Sequence, residues 1–156
     1  MSAPAPFLIR RAEARDADAI AEVHMLARRV AMPWLPEMHT AEETRAWVRS
    51  VLLPHEEVWV AEAEGRVVGM ASLAEEMLQH LYIHPNAQGR GIGSALFTKA
   101  IARYPRGFTL YAFQRNTRAR AFYEDKGCVA IAFGDGSGNE EGEPDVLYRW
   151  APPDGG

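Results

Sequence analysis

Residues 80–101, "HLYIHPNAQGRGIGSALFTKAI", place three glycines between an apolar run and a helical pattern. Each glycine inside a helix costs about 1 kcal/mol relative to alanine, and a plain turn would need only one. Glycine lets a backbone approach a ligand closely, and the first N–H groups of a helix have no helical partner. The stretch therefore predicts an anion site, most naturally for phosphate, at the start of a helix.

Two common phosphate-binding motifs do not fit this stretch. A Walker loop needs Gly-Lys-Ser/Thr, whereas Gly93 is followed by Ser94 and Ala95. The dinucleotide fingerprint G-x-G-x-x-G also fails, because the sixth position counted from Gly89 is Ser94. The kind of phosphate ligand has to be inferred from the surrounding sequence.

Length and composition indicate one ordinary domain, and we predict a single domain over residues 1–156 with a frayed tail at 151–156. The net charge of −4 argues against a nucleic-acid partner. Cys128 is the only cysteine, so no intrachain disulfide can form, which fits a reducing cytosol. No apolar run approaches the ~20 residues that cross a bilayer, and residues 1–16 lack the apolar core of a signal peptide. We therefore expect a cytoplasmic protein with no membrane partner.

Hydrophobic periodicity predicts seven strands and four helices. The strands are expected at residues 7–11, 57–63, 66–74, 77–83, 108–113, 128–133 and 145–150. The helices are expected from Asp16 to about Val30, from a Thr40–Glu43 capping box to just before Pro54, over 94–104, and from Asn116 or Thr117 to Gly127. This order predicts a mixed α/β fold: a twisted sheet, antiparallel in its first half and parallel later, with helices on both faces.

Two short motifs give the chain a family resemblance. Residues 88–93, "QGRGIG", match the Gln/Arg-x-x-Gly-x-Gly/Ala signature of the GCN5-related N-acetyltransferases (GNAT). Residues 116–127, "NTRARAFYEDKG", resemble the second signature of that family, Asn-x-x-Ala-x-x-Phe-Tyr-x-x-x-Gly. The resemblance implies acetyl-CoA as co-substrate and no metal.

The resemblance also assigns residues to the coenzyme. It implies that main-chain groups of the glycine-rich loop hold the pyrophosphate of acetyl-CoA; the residues are Gln88, Gly89, Arg90, Gly91, Ile92, Gly93 and Ser94. It implies that the backbone of Leu81, Tyr82 and Ile83 pairs with the pantetheine arm, which requires strand 77–83 to splay from strand 108–113. Asn116 is expected beside that arm, although an N-cap role explains it equally simply.

Transfer of an acetyl group to an amine requires a proton for the departing thiolate. The resemblance assigns this proton to Tyr123, with packing in an amphipathic helix as the alternative. A phenol of pKa ~10 can donate to a thiolate whose thiol has a pKa of ~8.5 as charge develops.

The amine must also lose a proton before or during attack, because a lysine-like amine is mostly protonated at neutral pH. Met77 and Tyr111 occupy the places where relatives carry a glutamate. We therefore name Glu76, at the mouth of the strand, as the candidate base. His80 and a chain of water molecules stay open as alternatives.

The resemblance places the acceptor between the N-terminal helices, their linker and the last hairpin. The linker supplies Trp34 and His39. Acidic residues in the loop at 134–145 would favour a cationic amine, with a solvated loop of turn-forming residues as the alternative. His80 and His84 have no evident third partner for a metal.

We expect an N-acetyltransferase that acts on a primary amine of a small molecule by direct attack in a ternary complex. The alternatives are a peptide or protein amine as acceptor, and a non-catalytic acyl-CoA-binding module with a regulatory role. The resemblance leaves a homodimer open. The sequence does not determine the acceptor, the base or the preferred acyl chain.

Overall fold

A computed structural model of the chain describes residues 6–153. Residues 154–156, part of the tail expected to fray, lie outside this range. The longest helix in the described range has 15 residues, and none there is long and apolar enough to span a bilayer.

Seven strands form one sheet. They are β1 (Phe7–Arg11), β2 (Glu57–Ala63), β3 (Arg66–Ala74), β4 (Met77–Ile83), β5 (Phe108–Phe113), β6 (Val129–Gly134) and β7 (Asp145–Trp150). The order across the sheet is β1-β2-β3-β4-β5-β7-β6. Neighbours pair antiparallel except β4 and β5, which run parallel. The predicted mixed α/β fold is confirmed.

Four helices cover the sheet: α1 (Ala17–Ala31), α2 (Ala41–Trp47), α3 (Ile92–Arg103) and α4 (Thr117–Asp125). The Thr40–Glu43 capping box is present at the start of α2, where the Thr40 hydroxyl accepts from the Glu43 N–H. Asp16 does not cap α1 as expected; its carboxylate accepts hydrogen bonds from Arg10 and from the Glu13 N–H.

The second helix does not stop before Pro54, as the sequence predicted. It continues from α2 through a π-helical turn, Val48–Leu52, and a last α-helical turn, Leu53–His55. Proline cannot donate the usual helical hydrogen bond. The wider π turn directly ahead of Pro54 changes the bonding register, and the Glu56 N–H donates to the Leu52 carbonyl at 2.9 Å.

The second half of the sheet differs from the simplest expectation. The unit β4–α3–β5 gives the predicted parallel pair. The unit β5–α4–β6 does not, because β7 inserts between β5 and β6 and pairs antiparallel with both. The connection through α4 skips one strand position, and the loop of residues 135–144 then reverses the chain so that β7 fills it.

The core has two parts, one on each face of the sheet. On one face, α1 and the turns after α2 pack on β2 and β3 through Ile20, Val23, Val48, Leu52, Val58, Val60 and Met70. On the other face, α3 and α4 pack on the sheet through residues that include Leu96, Phe97, Phe108, Leu110, Val146 and Tyr148. Leu78 of β4 and Phe108 and Leu110 of β5 belong to the second part, so these two strands are packed together where they pair.

Candidate active site

The strands β4 and β5 separate as predicted. Within residues 6–153 they share one pair, Met77 with Thr109, where the Thr109 N–H donates to the Glu76 carbonyl at 3.2 Å. Beyond that pair they diverge around a cavity of about 470 Å³. We call this space the strand-gap cavity; its walls include residues 78–82 of β4, 111–113 of β5, and Asn116, Ala119 and Tyr123 from the region of α4.

The glycine-rich turn lies between β4 and α3, and its glycines serve two purposes. Gly89 and Gly91 have φ of 78° and 83°, a left-handed conformation that side chains disfavour, with open space where a Cβ would lie. Gly93 is helical, and a Cβ on it would lie 3.3 Å from the Phe122 ring. The close approach at Gly93 is therefore to Phe122, whereas at Gly89 and Gly91 the backbone conformation requires glycine.

The turn presents unpaired main-chain donors. The first helical bond of α3 runs from the Ala95 N–H to the Gly91 carbonyl, at 3.1 Å. The N–H groups of residues 89–94 have no hydrogen-bond partner within the described range. The Gln88 side chain fixes the turn to the end of β4 by donating to the Ile83 carbonyl at 3.2 Å, and Arg118 donates to Gln88 at 3.4 Å. Arg90 is half-buried in the same turn.

The last residues of β4 pack with their side chains and leave one backbone edge free. Leu81 and Ile83 contact the core under α3, whereas Tyr82 lies on the α1 face and its hydroxyl accepts from Arg28 at 3.1 Å. A bulge breaks the register between β3 and β4: Ser72 faces His80 and Leu73 faces Leu78. Gln79 is therefore the extra residue of the bulge, and bulges re-aim the chain beside functional sites.

Asn116 and Tyr123 both line the strand-gap cavity. The Asn116 side-chain oxygen caps α4 by accepting from the Ala119 N–H at 3.2 Å, so Asn116 and not Thr117 is the N-cap. Capping uses only the oxygen and leaves the amide nitrogen for the cavity. Tyr123 is buried, and burial, followed by the charges of Tyr82 and Cys128, raises the pKa of its phenol above the ordinary value.

Glu76 is not brought together with these residues. Glu75 and Glu76 form the turn between β3 and β4, both with positive φ, 56° and 57°. Glu76 is exposed, lies at the closed end of the divergent strands and lines neither cavity described here. Glu76 directly precedes β4, as the sequence predicted, but it lies in a left-handed turn at the paired end of the strands and is exposed to solvent.

A second cavity, of about 620 Å³, adjoins the first and is called the acceptor-side cavity. Its walls come from α1, the linker 32–40, α2, β4, β5 and residues 140–141. His39 lines it and pairs with Glu140 at 2.8 Å. Trp34 does not line this cavity, because its ring packs against Phe113 and under the Arg115 guanidinium. The linker residues that do line the cavity include Met32, Pro33, Leu35 and Pro36.

The sequence analysis missed three residues of this cavity. Arg28 donates to Glu141 at 2.8 Å, an ion pair that is mostly buried and ties the loop 135–144 to α1. His24 packs on the rings of Trp47, His80 and Tyr82. The spacing of His24 and Arg28, four residues apart beside the apolar face of α1, was the available signal; nothing local marked Glu141.

The two histidines of this cluster are held neutral. Burial lowers the pKa of His80 to about 4, with the nearby Arg28 charge adding to the effect. Burial also lowers the pKa of His24 to about 3, with His80 and Arg28 contributing. At neutral pH both imidazoles therefore offer one nitrogen as a hydrogen-bond acceptor. Within residues 6–153, no group of three or more His, Cys, Asp or Glu is arranged to hold a metal ion.

Comparison with known proteins agrees with this geometry. Residues 54–127 match the acetyltransferase (GNAT) domain family. The chain is 29% identical over 121 residues to the peptidyl-lysine N-acetyltransferase YiaC of Escherichia coli, an alignment that covers 77% of this chain and 82% of YiaC. It is 32% identical over 103 residues to the L-amino acid N-acyltransferase MnaT of Escherichia coli, which covers 60% of each protein.

A solved structure shows the same fold over nearly the whole length. The acetyltransferase yncA of Salmonella typhimurium, solved with its cofactor acetyl-CoA, superposes with a TM-score of 0.72 at 20% identity, covering 94% of both chains. The family match spans β4, the glycine-rich turn and α4, which are the elements that build the strand gap. In sequence over residues 54–127, and in fold over most of its length, the chain is similar to the GCN5-related N-acetyltransferases.

Proposed function

We propose that the chain transfers the acetyl group of acetyl-CoA to a primary amine of a small molecule, by direct attack in a ternary complex. The observation that carries this proposal is the run of N–H groups at residues 89–94, which have no partner among the described residues and lie at the open end of a splayed strand pair. A helix start with free donors suits a diphosphate, because the donors and the helix dipole both favour negative charge.

The arm of the coenzyme fits the free edge of β4. Leu81 and Ile83 use their side chains for core packing, so only their backbone faces the gap. An extended, amide-bearing chain can pair with such an edge as an added strand would. This placement brings a thioester, at the far end of the arm, toward Gln79, Asn116 and Tyr123, which line the strand-gap cavity.

Tyr123 is the proposed proton donor to the departing sulfur. Its raised pKa keeps the phenol protonated at neutral pH, so the proton is present when the carbon–sulfur bond breaks. A thiolate that forms in this buried place is poorly solvated and accepts a proton readily. Phe122, the neighbour of Tyr123, packs against Phe97 and Gly93, which fixes the helix that carries the phenol.

The acceptor-side cavity supports a cationic amine. Its charged walls hold two arginines, Arg28 and Arg29, against four glutamates, Glu37, Glu43, Glu140 and Glu141. The excess of carboxylates attracts an ammonium group, and the apolar linker residues suit an alkyl chain. The Arg28–Glu141 ion pair and the His39–Glu140 contact tie the loop 135–144 over the cavity, which favours a small molecule over a broad protein surface.

A lysine side chain of a peptide is the second candidate acceptor. The rim of the cavity carries Met38, a residue that is 48% exposed, next to the exposed residues Glu37 and His39. An exposed methionine at a rim suits contact with a flexible peptide. The relative YiaC is named as a peptidyl-lysine acetyltransferase and MnaT as an amino-acid acyltransferase, so both kinds of acceptor occur among the relatives.

A thiol-release assay tests the proposal. Purified protein and acetyl-CoA are incubated with small alkylamines, diamines and amino acids, and separately with lysine-containing peptides whose N-terminus is blocked. We expect release of CoA with at least one small primary amine and none with the N,N-dimethyl form of that amine. Turnover confined to the peptides would select the second candidate. Binding of acetyl-CoA by calorimetry with no turnover on any amine would refute catalysis and favour a binding module.

A further inference from the structure

The two cavities meet at a short boundary, and the reacting atoms have to lie there. A thioester held in the strand gap and an amine held in the acceptor-side cavity can touch only where both cavities share a wall. Six residues line both: Met32, Gln79, His80, Tyr82, Tyr111 and Phe113. The group that takes the proton of the attacking amine is expected in this set.

His80 alone among these six carries an imidazole, whose unprotonated nitrogen can accept a proton. The methionine, the phenylalanine and the glutamine amide are not bases in water. A phenol oxygen accepts a proton far less readily than an imidazole nitrogen, and the Tyr82 hydroxyl already accepts a hydrogen bond from Arg28. Neither ring nitrogen of His80 has a hydrogen-bond partner within the described part of the chain.

The surroundings of His80 fix its ring in place. It packs edge-on against Trp47, with ring centres 5.3 Å apart, and against His24 at 5.7 Å. Ser72 lies directly opposite His80 in the β3–β4 ladder, so the two Cβ atoms are on one face and about 5 Å apart. These contacts hold the His80 ring at the boundary of the two cavities.

We propose that His80 is the catalytic residue that takes the proton from the amine nitrogen during acetyl transfer. This inference rests on the function proposed above. The nitrogen arrives as an ammonium and loses one proton to water, and its lone pair then forms the bond to the thioester carbonyl carbon. His80 takes the second proton from the nitrogen once that bond exists. The carbon–sulfur bond then breaks, and Tyr123 gives its proton to the sulfur.

The proton balance closes without a further reactant. The ammonium nitrogen starts with three protons and keeps one in the amide product. His80 returns its proton through the acceptor-side cavity to the Tyr123 phenolate, and the first proton stays in solvent. A weakly basic imidazole suits this role because the nitrogen becomes far more acidic after it bonds to the carbonyl carbon. The oxygen anion on the neighbouring carbon also offsets the charge that His80 acquires.

The test compares His80→Gln with His55→Gln, a histidine on the exposed turn after α2 that lines neither cavity. Turnover is measured with acetyl-CoA and either propylamine or 3,3,3-trifluoropropylamine. For His80→Gln we expect a fall in kcat of about 10²-fold with propylamine, a smaller fall with the fluorinated amine, and unchanged acetyl-CoA affinity. The smaller fall is expected because the adduct of an electron-poor amine releases its proton with less help. His55→Gln is expected to match the wild type.

Two results would overturn the inference. One is wild-type kcat in His80→Gln with both amines. The other is an equal fall with both amines, which would indicate a structural role. A wild-type protein that turns over no amine would instead refute the proposed function. Should His80→Gln lose acetyl-CoA binding, His80→Ala is assayed with added imidazole: turnover that rises with imidazole supports the proton-transfer role, and turnover that stays flat contradicts it.

Discussion

The Phe122 ring lies against Gly93, so that a Cβ on Gly93 would stand 3.3 Å from it. A Cβ on Gly91, two residues earlier, would have no atom within 4 Å, but the backbone of Gly91 has a φ of 83°. Gly93 allows α3 and α4 to pack closely, whereas Gly91 is required by its backbone conformation. Two alanine substitutions in one turn should therefore have different effects.

Gly91→Ala is expected to lower the free energy of unfolding by about 1–2 kcal/mol, because alanine disfavours the left-handed region. It should also weaken acetyl-CoA binding by about tenfold or more, equivalent to about 1.4 kcal/mol, since relief of the strain rotates the free N–H groups.

Gly93→Ala should change stability by less than about 1 kcal/mol, because its gain in helix propensity offsets a small shift of Phe122. Urea unfolding and calorimetric titration measure both quantities. Wild-type coenzyme affinity in Gly91→Ala would show that the turn does not hold the pyrophosphate.

Tyr123→Phe is expected to reduce kcat by about 10²-fold while leaving the dissociation constant for acetyl-CoA nearly unchanged. The ring still packs, but the proton for the sulfur is gone. Tyr104→Phe removes a hydroxyl at the end of α3, outside both cavities, and serves as the matched control. Because the pKa of Tyr123 is raised, the phenol should stay protonated between about pH 8 and about pH 10. Ionisation of Tyr123 should therefore not lower the wild-type kcat in that range. An unchanged kcat in Tyr123→Phe would remove the phenol from the mechanism.

Two substitutions of Asn116 can distinguish its role as the N-cap of α4 from its proposed role in coenzyme binding. Asn116→Asp keeps an oxygen for the Ala119 N–H and should unfold at the wild-type urea concentration, because Asp is as good an N-cap as Asn. It loses the amide donor and adds negative charge beside the strand gap, so acetyl-CoA should bind more weakly. Asn116→Ala should lose about 1 kcal/mol of stability with the cap. Equal acetyl-CoA affinity in Asn116→Asp and the wild type would leave Asn116 with the capping role alone.

The buried histidines make stability depend on pH. Burial lowers the pKa of His24 to about 3 and of His80 to about 4, whereas an unfolded histidine titrates near about 6.5. The unfolded chain therefore binds more protons between about pH 4 and about pH 6.5, and stability falls as the pH is lowered through that window. Each histidine contributes a slope of at most about 1.4 kcal/mol per pH unit.

Urea unfolding between pH 5 and pH 7 checks this expectation. His24→Gln should show a shallower dependence on pH than the wild type, whatever its stability at pH 7. His55→Gln, which alters an exposed residue, should keep the wild-type slope. Identical slopes in all three proteins would mean that His24 is already protonated or already exposed in the folded state.

Local patterns in the sequence were sufficient to locate most elements of the fold, and they are the source of the residues proposed for the coenzyme. The alternation of apolar residues located all seven strands, and the bounds of β7 agree with the structure at both ends. The glycine-rich turn and the helix of Asn116 and Tyr123 are short stretches whose chemistry and conformation depend on adjacent residues. Such features can be read from a sequence because the residues that decide them are neighbours along the chain.

The acceptor side was decided by tertiary structure. His24, His80, Arg28 and Glu141 come from three distant segments, and their proximity depends on how α1 and the loop 135–144 pack on β4. The sequence could offer His80 as one base among several, but only the shared wall of two cavities separates it from Glu76, which lies exposed in a left-handed turn. The physical reason is that burial, and with it the pKa of a side chain, is set by contacts between residues far apart in the sequence.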